Sequence, residues 1–335
     1  MQKITQNQLI EKAVSLLADG KVTAVLGWSK GEFGYDVTPK MFRAEEDLKQ
    51  NFVWNDFCGV NFSKYLVSKT DRAEGKILVF LKPCDTYSFN QLLTEHRFDR
   101  EKVYAVGIPC EGMVDVSKVK AVTGEGISSI KEDGEDLLVE TIYEETPMAV
   151  PVADVLLERC INCKSKKHVA YDELLGETGE VIESARFDEV ARLEAMTPDE
   201  RFAFWQNELS RCIRCNACRD ACPACTCEKC VFDNPESGVE NKAAANSFEE
   251  KMFHIIRAFH VAGRCTDCGE CSRVCPQNIP LYLLNRKYIK DVDEIYGEYQ
   301  AGEDTETRAP LNTYNTEDAE PSIVYERDAS QGGIN

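Results

Sequence analysis

Cys212-Ile-Arg-Cys215-Asn-Ala-Cys218-Arg-Asp-Ala-Cys222-Pro223 and Cys265-Thr-Asp-Cys268-Gly-Glu-Cys271-Ser-Arg-Val-Cys275-Pro276 are two copies of one pattern, C-x2-C-x2-C-x3-C-P. Three thiolates with two residues between neighbours wrap a loop around three corners of a cubane cluster. The fourth, beside proline, points away and closes the neighbouring cluster. The spacing assigns Cys212, Cys215, Cys218 and Cys275 to one 4Fe-4S cluster, and Cys265, Cys268, Cys271 and Cys222 to another. Ligands exchanged between the runs hold the clusters close together, which suits electron transfer.

Zinc and disulfides are the competing uses of these thiols. A zinc site needs only four ligands and usually shows two separated CxxC pairs, whereas each run here offers four cysteines in one stretch. The N-terminal stretch MQKITQNQLIEKAVSLLADG has no apolar signal-peptide core. The expected location is therefore a reducing cytoplasm, where disulfides are rare and thiols stay available for metal.

A length of 335 residues gives room for two or three domains. The formal net charge of −19 argues against nucleic acid, whose phosphates need clustered Lys and Arg. The acid suits plain solubility or docking to a basic face of a redox partner. No apolar run approaches membrane-spanning length.

Upstream of the cysteine runs, Leu9, Ala13, Leu16 and Leu17 recur at helical spacing before Gly20. Val22–Leu26 reads as a strand entering a loop with Gly27, Gly31 and Gly34. That loop is a candidate for flavin or nucleotide contact; no strand-linked G-x-G-x-x-G accompanies it, and such loops are usually turns. The strands Lys76–Leu81 and Lys102–Ile108 run into Pro83-Cys84-Asp85, where Asp85 can cap a helix, and into Pro109-Cys110. This order predicts a parallel α/β unit with both Pro-Cys loops at the strand ends where ligands usually bind. A hairpin turned by Asp133-Gly134 follows, and a helix from about Val152 leads into Cys160-Ile-Asn-Cys163.

The expected organisation is an α/β domain over 1–175, a helical linker over 176–206, an all-helical dicluster ferredoxin-like domain over 207–295 and an acidic extended tail over 300–335. The whole is a multidomain α+β chain. Ser247 and Glu250 fit a capping box, and Phe248, Met252, Ile255, Ile256 and Phe259 make the apolar stripe of a helix packed between the two cluster loops. His254 and His260 read as packing or surface residues rather than ligands. The tail is too polar to bury a core by itself.

Two further cysteine groups remain. Cys84, Cys110, Cys160 and Cys163 form a possible third cluster site, with zinc, a cysteine-rich active-site edge and unligated thiols as alternatives. Cys225, Cys227 and Cys230 form a possible further metal site whose fourth ligand would come from elsewhere, such as Cys58 or a partner. Alternatively, one of them replaces a ligand in the assignment above. No Ser-His-Asp or zinc-hydrolase signature is present, so catalysis would need a bound flavin or similar cofactor.

The segments LKPCDTYSFNQLL, VYAVGIPCEGMVD and RCINCKSKKHVAYDELLGE resemble the beta subunits of coenzyme F420-reducing hydrogenases and F420-linked formate dehydrogenases. ELSRCIRCNACRDACPACTCEKC and AFHVAGRCTDCGECSRVCPQNIPL resemble the helical dicluster module joined to such domains, which is also similar to the small subunit of heterodisulfide reductase. The resemblance implies an iron-sulfur subunit of an anaerobic oxidoreductase complex. It would pass electrons between a formate dehydrogenase or hydrogenase and a heterodisulfide-reductase-like or NAD(P)-linked partner. Members with the full-length beta fold bind FAD and exchange a hydride with F420. This chain departs from them in its compact first domain and its lack of an obvious glycine-rich flavin segment. A flavin-containing subunit exchanging hydride with F420 or NAD(P)H is the alternative reading.

Overall fold

The structure, a computed structural model, describes residues 4–182, 185–233 and 247–313, with side chains of the last segment described from residue 251. Its first half contains α1 (Gln6–Ala18), β1 (Ala24–Lys30), β2 (Val37–Phe42), α2 (Glu45–Asn51), α3 (Ser63–Thr70), β3 (Ile77–Leu81), α4 (Pro83–Thr94), β4 (Val103–Gly107), α5 (Val116–Thr123), β5 (Ile127–Asp133), β6 (Asp136–Thr141), β7 (Met148–Pro151), α6 (Glu158–Ile161) and β8 (Glu173–Leu174). After these, the described helices are α7 (Asp188–Glu194), α8 (Pro198–Ser210), α9 (Ala217–Asp220), α10 (Ser247–Val261), α11 (Glu270–Arg273) and α12 (Leu281–Tyr296). The chain is a mixed, multidomain α+β protein.

The first sheet has the order β2-β1-β3-β4-β8, with β1, β3, β4 and β8 parallel and β2 antiparallel at one edge. Every residue of β3, Ile-Leu-Val-Phe-Leu, is buried, as expected for a central strand covered on both faces. Trp28, Phe42, Phe62, Phe80 and Phe89 fill the surrounding core. The hairpin expected at Asp133-Gly134 is β5–β6, with Gly134 at φ +68°, and β7 extends it into a three-stranded antiparallel sheet.

Several local expectations need correcting. β1 continues through Gly27 to Lys30, so Gly27 is a strand residue; a Cβ there would lie 2.6 Å from the Phe52 ring. Gly31 and Gly34 turn the chain into antiparallel β2, so no helix N-terminus follows them to receive a phosphate. The first two glycines allow close packing, since a Cβ on Gly31 would collide with Asp36. From Val152 the chain forms only a 3-10 turn, Val152–Val155, before the single-turn α6, because Val155 is drawn into the core beside the second sheet.

The segment expected to be tail is docked as far as residue 313. Ala301 and Ala309 are buried, and Asn90 donates to the Glu303 carbonyl at 3.4 Å. The rest of the expected tail, 314–335, lies outside the described residues, as do the side chains of the Ser247–Glu250 capping box and Phe248. Among the described residues, no helix is long and apolar enough to cross a membrane.

Candidate iron-sulfur centres

The two cysteine runs bend their backbones alike. Arg214 and Asn216 in the first, and Asp267 and Gly269 in the second, occupy equivalent positions and have φ of +54°, +62°, +55° and +65°. These left-handed residues curl each loop so that alternate segments turn inward, and each curl runs into a single-turn helix, α9 or α11.

Cys212, Cys215, Cys218 and Cys275 line one small cavity, roofed by Phe253 and His254 of α10. Leu209, Ile279 and Leu281 pack around Cys218 and Cys271 and hold the loops to α8 and α12. In the second run, Cys265, Cys268 and Cys271 each lie within electrostatic reach of Cys222 from the first. The fourth cysteine of each run thus lies beside the first three of the other.

The α/β half gathers a third group. Pro83 starts α4 directly after β3 and sets Cys84 on its first turn, while Cys110 follows β4 and Cys160 and Cys163 flank the end of α6. All four cysteines line one cavity at the C-terminal ends of the parallel strands, with Arg159, Lys164, Lys166 and, from the second cysteine run, Asp267.

Cys225, Cys227 and Cys230 line a different cavity of about 550 Å³, together with His260. Cys58 is elsewhere: it is wholly buried in the α/β core, accepting from the Asn55 amide at 3.4 Å. It does not supply a fourth ligand to that group. Gly27, Gly31 and Gly34 adjoin none of these four cysteine groups.

Buried cations join the sites. Arg159 donates to the Cys268 carbonyl at 2.6 Å, pairs with Glu270 at 2.5 Å, and also donates to the Gly59 carbonyl. Lys164 is buried over the Tyr87 ring at 3.9 Å and donates to the Thr266 carbonyl. Asp267 receives Arg286 at 2.9 Å and Arg186 at 2.8 Å, while Ser88 and Thr266 share a hydroxyl bond of 2.8 Å. Arg257 of α10 donates to the Cys218 carbonyl at 2.8 Å and lies near Cys218, Cys222, Cys225 and Cys271. The sequence showed no signal for Arg257 beyond its place on a helix. Arg159 and Lys164 could have been suspected, since each adjoins a cysteine of the third group.

Several features fit these residues to iron-sulfur clusters. All sixteen cysteines are free thiols. Burial pushes Cys265 and Cys271 up to about 12 and Cys84 and Cys268 well above the ordinary thiol range, so a bare thiolate is costly there without a compensating positive charge. A hydrogen bond with the Cys225 thiol brings Cys222 down to about 5. Among the described residues, neither ring nitrogen of buried His254 has a hydrogen-bond partner, nor do Nε of Arg159 and Arg257. Unpaired buried donors of this kind suit the sulfides of an anionic cluster.

The comparisons with known proteins agree with this chemistry. Residues 208–279 match the 4Fe-4S dicluster domain, which makes the chain an iron-sulfur protein. The chain is similar to the F420-dependent formate dehydrogenase subunit beta of Methanocaldococcus jannaschii, 24% identical over 340 residues covering 84% of this chain and 88% of that protein. It is also similar to the F420-dependent formate dehydrogenase 1 subunit beta of Methanococcus maripaludis, 24% identical with 88% and 90% covered. The resemblance read from the cysteine segments thus extends along most of the chain. A chain of the F420-reducing [NiFe] hydrogenase complex from Methanosarcina barkeri aligns with 63% of this chain and 91% of its own length, at 14% identity and a TM-score of 0.36.

Proposed function

We propose that this chain is an electron-transfer subunit of an F420-linked formate dehydrogenase or hydrogenase type of complex. It passes electrons to or from a heterodisulfide-reductase-like or NAD(P)-linked partner. Its all-helical module, residues 207–295, binds one cluster through Cys212, Cys215, Cys218 and Cys275 and a second through Cys265, Cys268, Cys271 and Cys222. A third is held in the α/β domain by Cys84, Cys110, Cys160 and Cys163. When bound, such clusters take up and release electrons singly.

The observation that carries this reading is the gathering of four thiols around one cavity in each half of the chain, joined across the seam by Asp267. The protein's own work is positioning and charge compensation. Arg159 and Lys164 fix the second cysteine loop against the α/β domain and bring positive charge between the two sites. Arg257 does the same between the two crossed cysteine sets. Phe253 and Leu281 line the first site beside its cysteines, of which Cys215 is exposed.

The test is removal of one ligand at a time in anaerobically purified protein. Cys215→Ala and Cys268→Ala should each lose one cluster and stop transfer through the module. Unchanged iron in both variants would reject the ligand assignment.

A further inference from the structure

Building on that iron-sulfur reading, we propose that Cys225, Cys227 and Cys230 bind a separate iron-sulfur cluster, with His260 as its fourth protein ligand. The loop carrying the three thiols is held in place from both sides. Lys64 donates to the Cys225 carbonyl and Arg97 to the Thr226 carbonyl, while the Thr226 hydroxyl lies 3.4 Å from the Glu95 carboxylate. The Asp233 amide donates to the Cys230 carbonyl at 2.9 Å. These bonds come from α3, the residues just after α4 and the turn after the loop, so three closely spaced cysteines are displayed on a fixed backbone.

Each thiol faces a cation. Arg264 lies within electrostatic reach of Cys225 and Cys227, and Arg219 hydrogen-bonds Cys230. Lys64 and Arg257 stand beside Cys225. Cations and donors placed around a cluster offset its negative charge. The cavity that these groups line, about 550 Å³, is far roomier than one metal ion fills; it is open to solvent at Cys227 and at His260, which lines it from the last turn of α10. Cys222 and Cys225 touch through a thiol hydrogen bond, so the proposed centre adjoins the Cys265 cluster site. The chemical class is a cluster of iron and sulfide with three thiolates and one imidazole, distinct from the all-cysteine sites.

The experiment measures iron, acid-labile sulfide and zinc per full-length chain after anaerobic purification, with electron paramagnetic resonance of the reduced protein. The Cys227→Ala/Cys230→Ala variant should lose about four irons and four sulfides and one resonance component while keeping the others. A Cys215→Ala variant run in parallel separates the two claims. Iron lost from Cys215→Ala but retained in the double variant overturns this inference alone, and iron retained in both overturns the underlying reading. Stoichiometric zinc lost in place of iron also overturns it. The His260→Cys variant guards against misfolding in the double variant: it should keep its iron and shift one resonance component, and an unshifted spectrum removes His260 from the site.

Discussion

The Nη1 of Arg159 lies 2.5 Å from the Glu270 carboxylate, spanning the seam between the α/β half and the second cysteine run. Both side chains are buried, and Arg273 shares Glu270 through two bonds of 2.8 Å. Burial raises the Glu270 carboxyl, but the Arg159 and Arg273 guanidiniums outweigh it and hold the group down at about 2. Breaking a buried pair leaves an uncompensated charge and costs several kcal/mol. Arg159→Met should therefore lower stability by on the order of 3 kcal/mol. Denaturant unfolding of the full chain checks this; a loss below about 1 kcal/mol would mean Arg273 alone satisfies Glu270.

A hydrogen bond from His254 to a cluster is expected to raise that cluster's potential. Burial, with Arg257 and Arg214 adding to it, holds the imidazole down to about 3, so the ring is neutral with one N–H to donate. His254→Leu should move the midpoint of the Cys212 cluster downward and leave the Cys265 cluster in place. Redox titration followed by electron paramagnetic resonance reads both; unchanged midpoints would show that the imidazole only packs.

His168 gives a pH signature away from the cluster ligands. Its ring nitrogens meet the Ile108 carbonyl at 2.9 Å and the Thr178 hydroxyl at 3.3 Å, and burial holds its pKa below the ordinary 6.5. The unfolded chain binds this proton more readily than the folded one. His168's contribution is full above about pH 6.5 and is lost as pH falls through the depressed folded value. The wild type should lose stability over that window, and His168→Gln should show a flatter profile there. Equal slopes in melting temperature against pH would exclude the effect.

Gly302 anchors the segment after α12. Its φ is +75°, and a Cβ would collide with the Tyr87 carbonyl oxygen on α4. Gly302→Ala should destabilise by roughly 1–3 kcal/mol through overpacking and backbone strain. Faster proteolysis after Tyr299 should accompany it, and wild-type resistance would show that the segment can shift without cost.

Much of this architecture is legible in the amino-acid sequence. The short all-apolar run Ile77–Leu81, bounded by Gly75 and Pro83, reads as a buried strand, and Pro83 starts the helix that places Cys84 at its end. The repeated spacing of the two cysteine runs carries their shared curl. What the sequence hides is long-range. Gly27 reads as a loop because glycine signals turns, yet Phe52 needs the space its missing Cβ leaves. Ala301 and Ala309 look like tail residues because nothing local reveals the α4 surface that buries Ala301 and Gly302. Arg257 carries no local sign of its burial, because the cysteines around it come from distant parts of the chain.

The central claim is tested most directly by iron and acid-labile sulfide per chain in the Cys84→Ala/Cys163→Ala variant, compared with wild type, after anaerobic purification. The account predicts a loss of about four irons with the resonances of both crossed-cysteine clusters retained. Undiminished iron and an unchanged spectrum would contradict a cluster in the α/β domain and reduce the relay to its helical half.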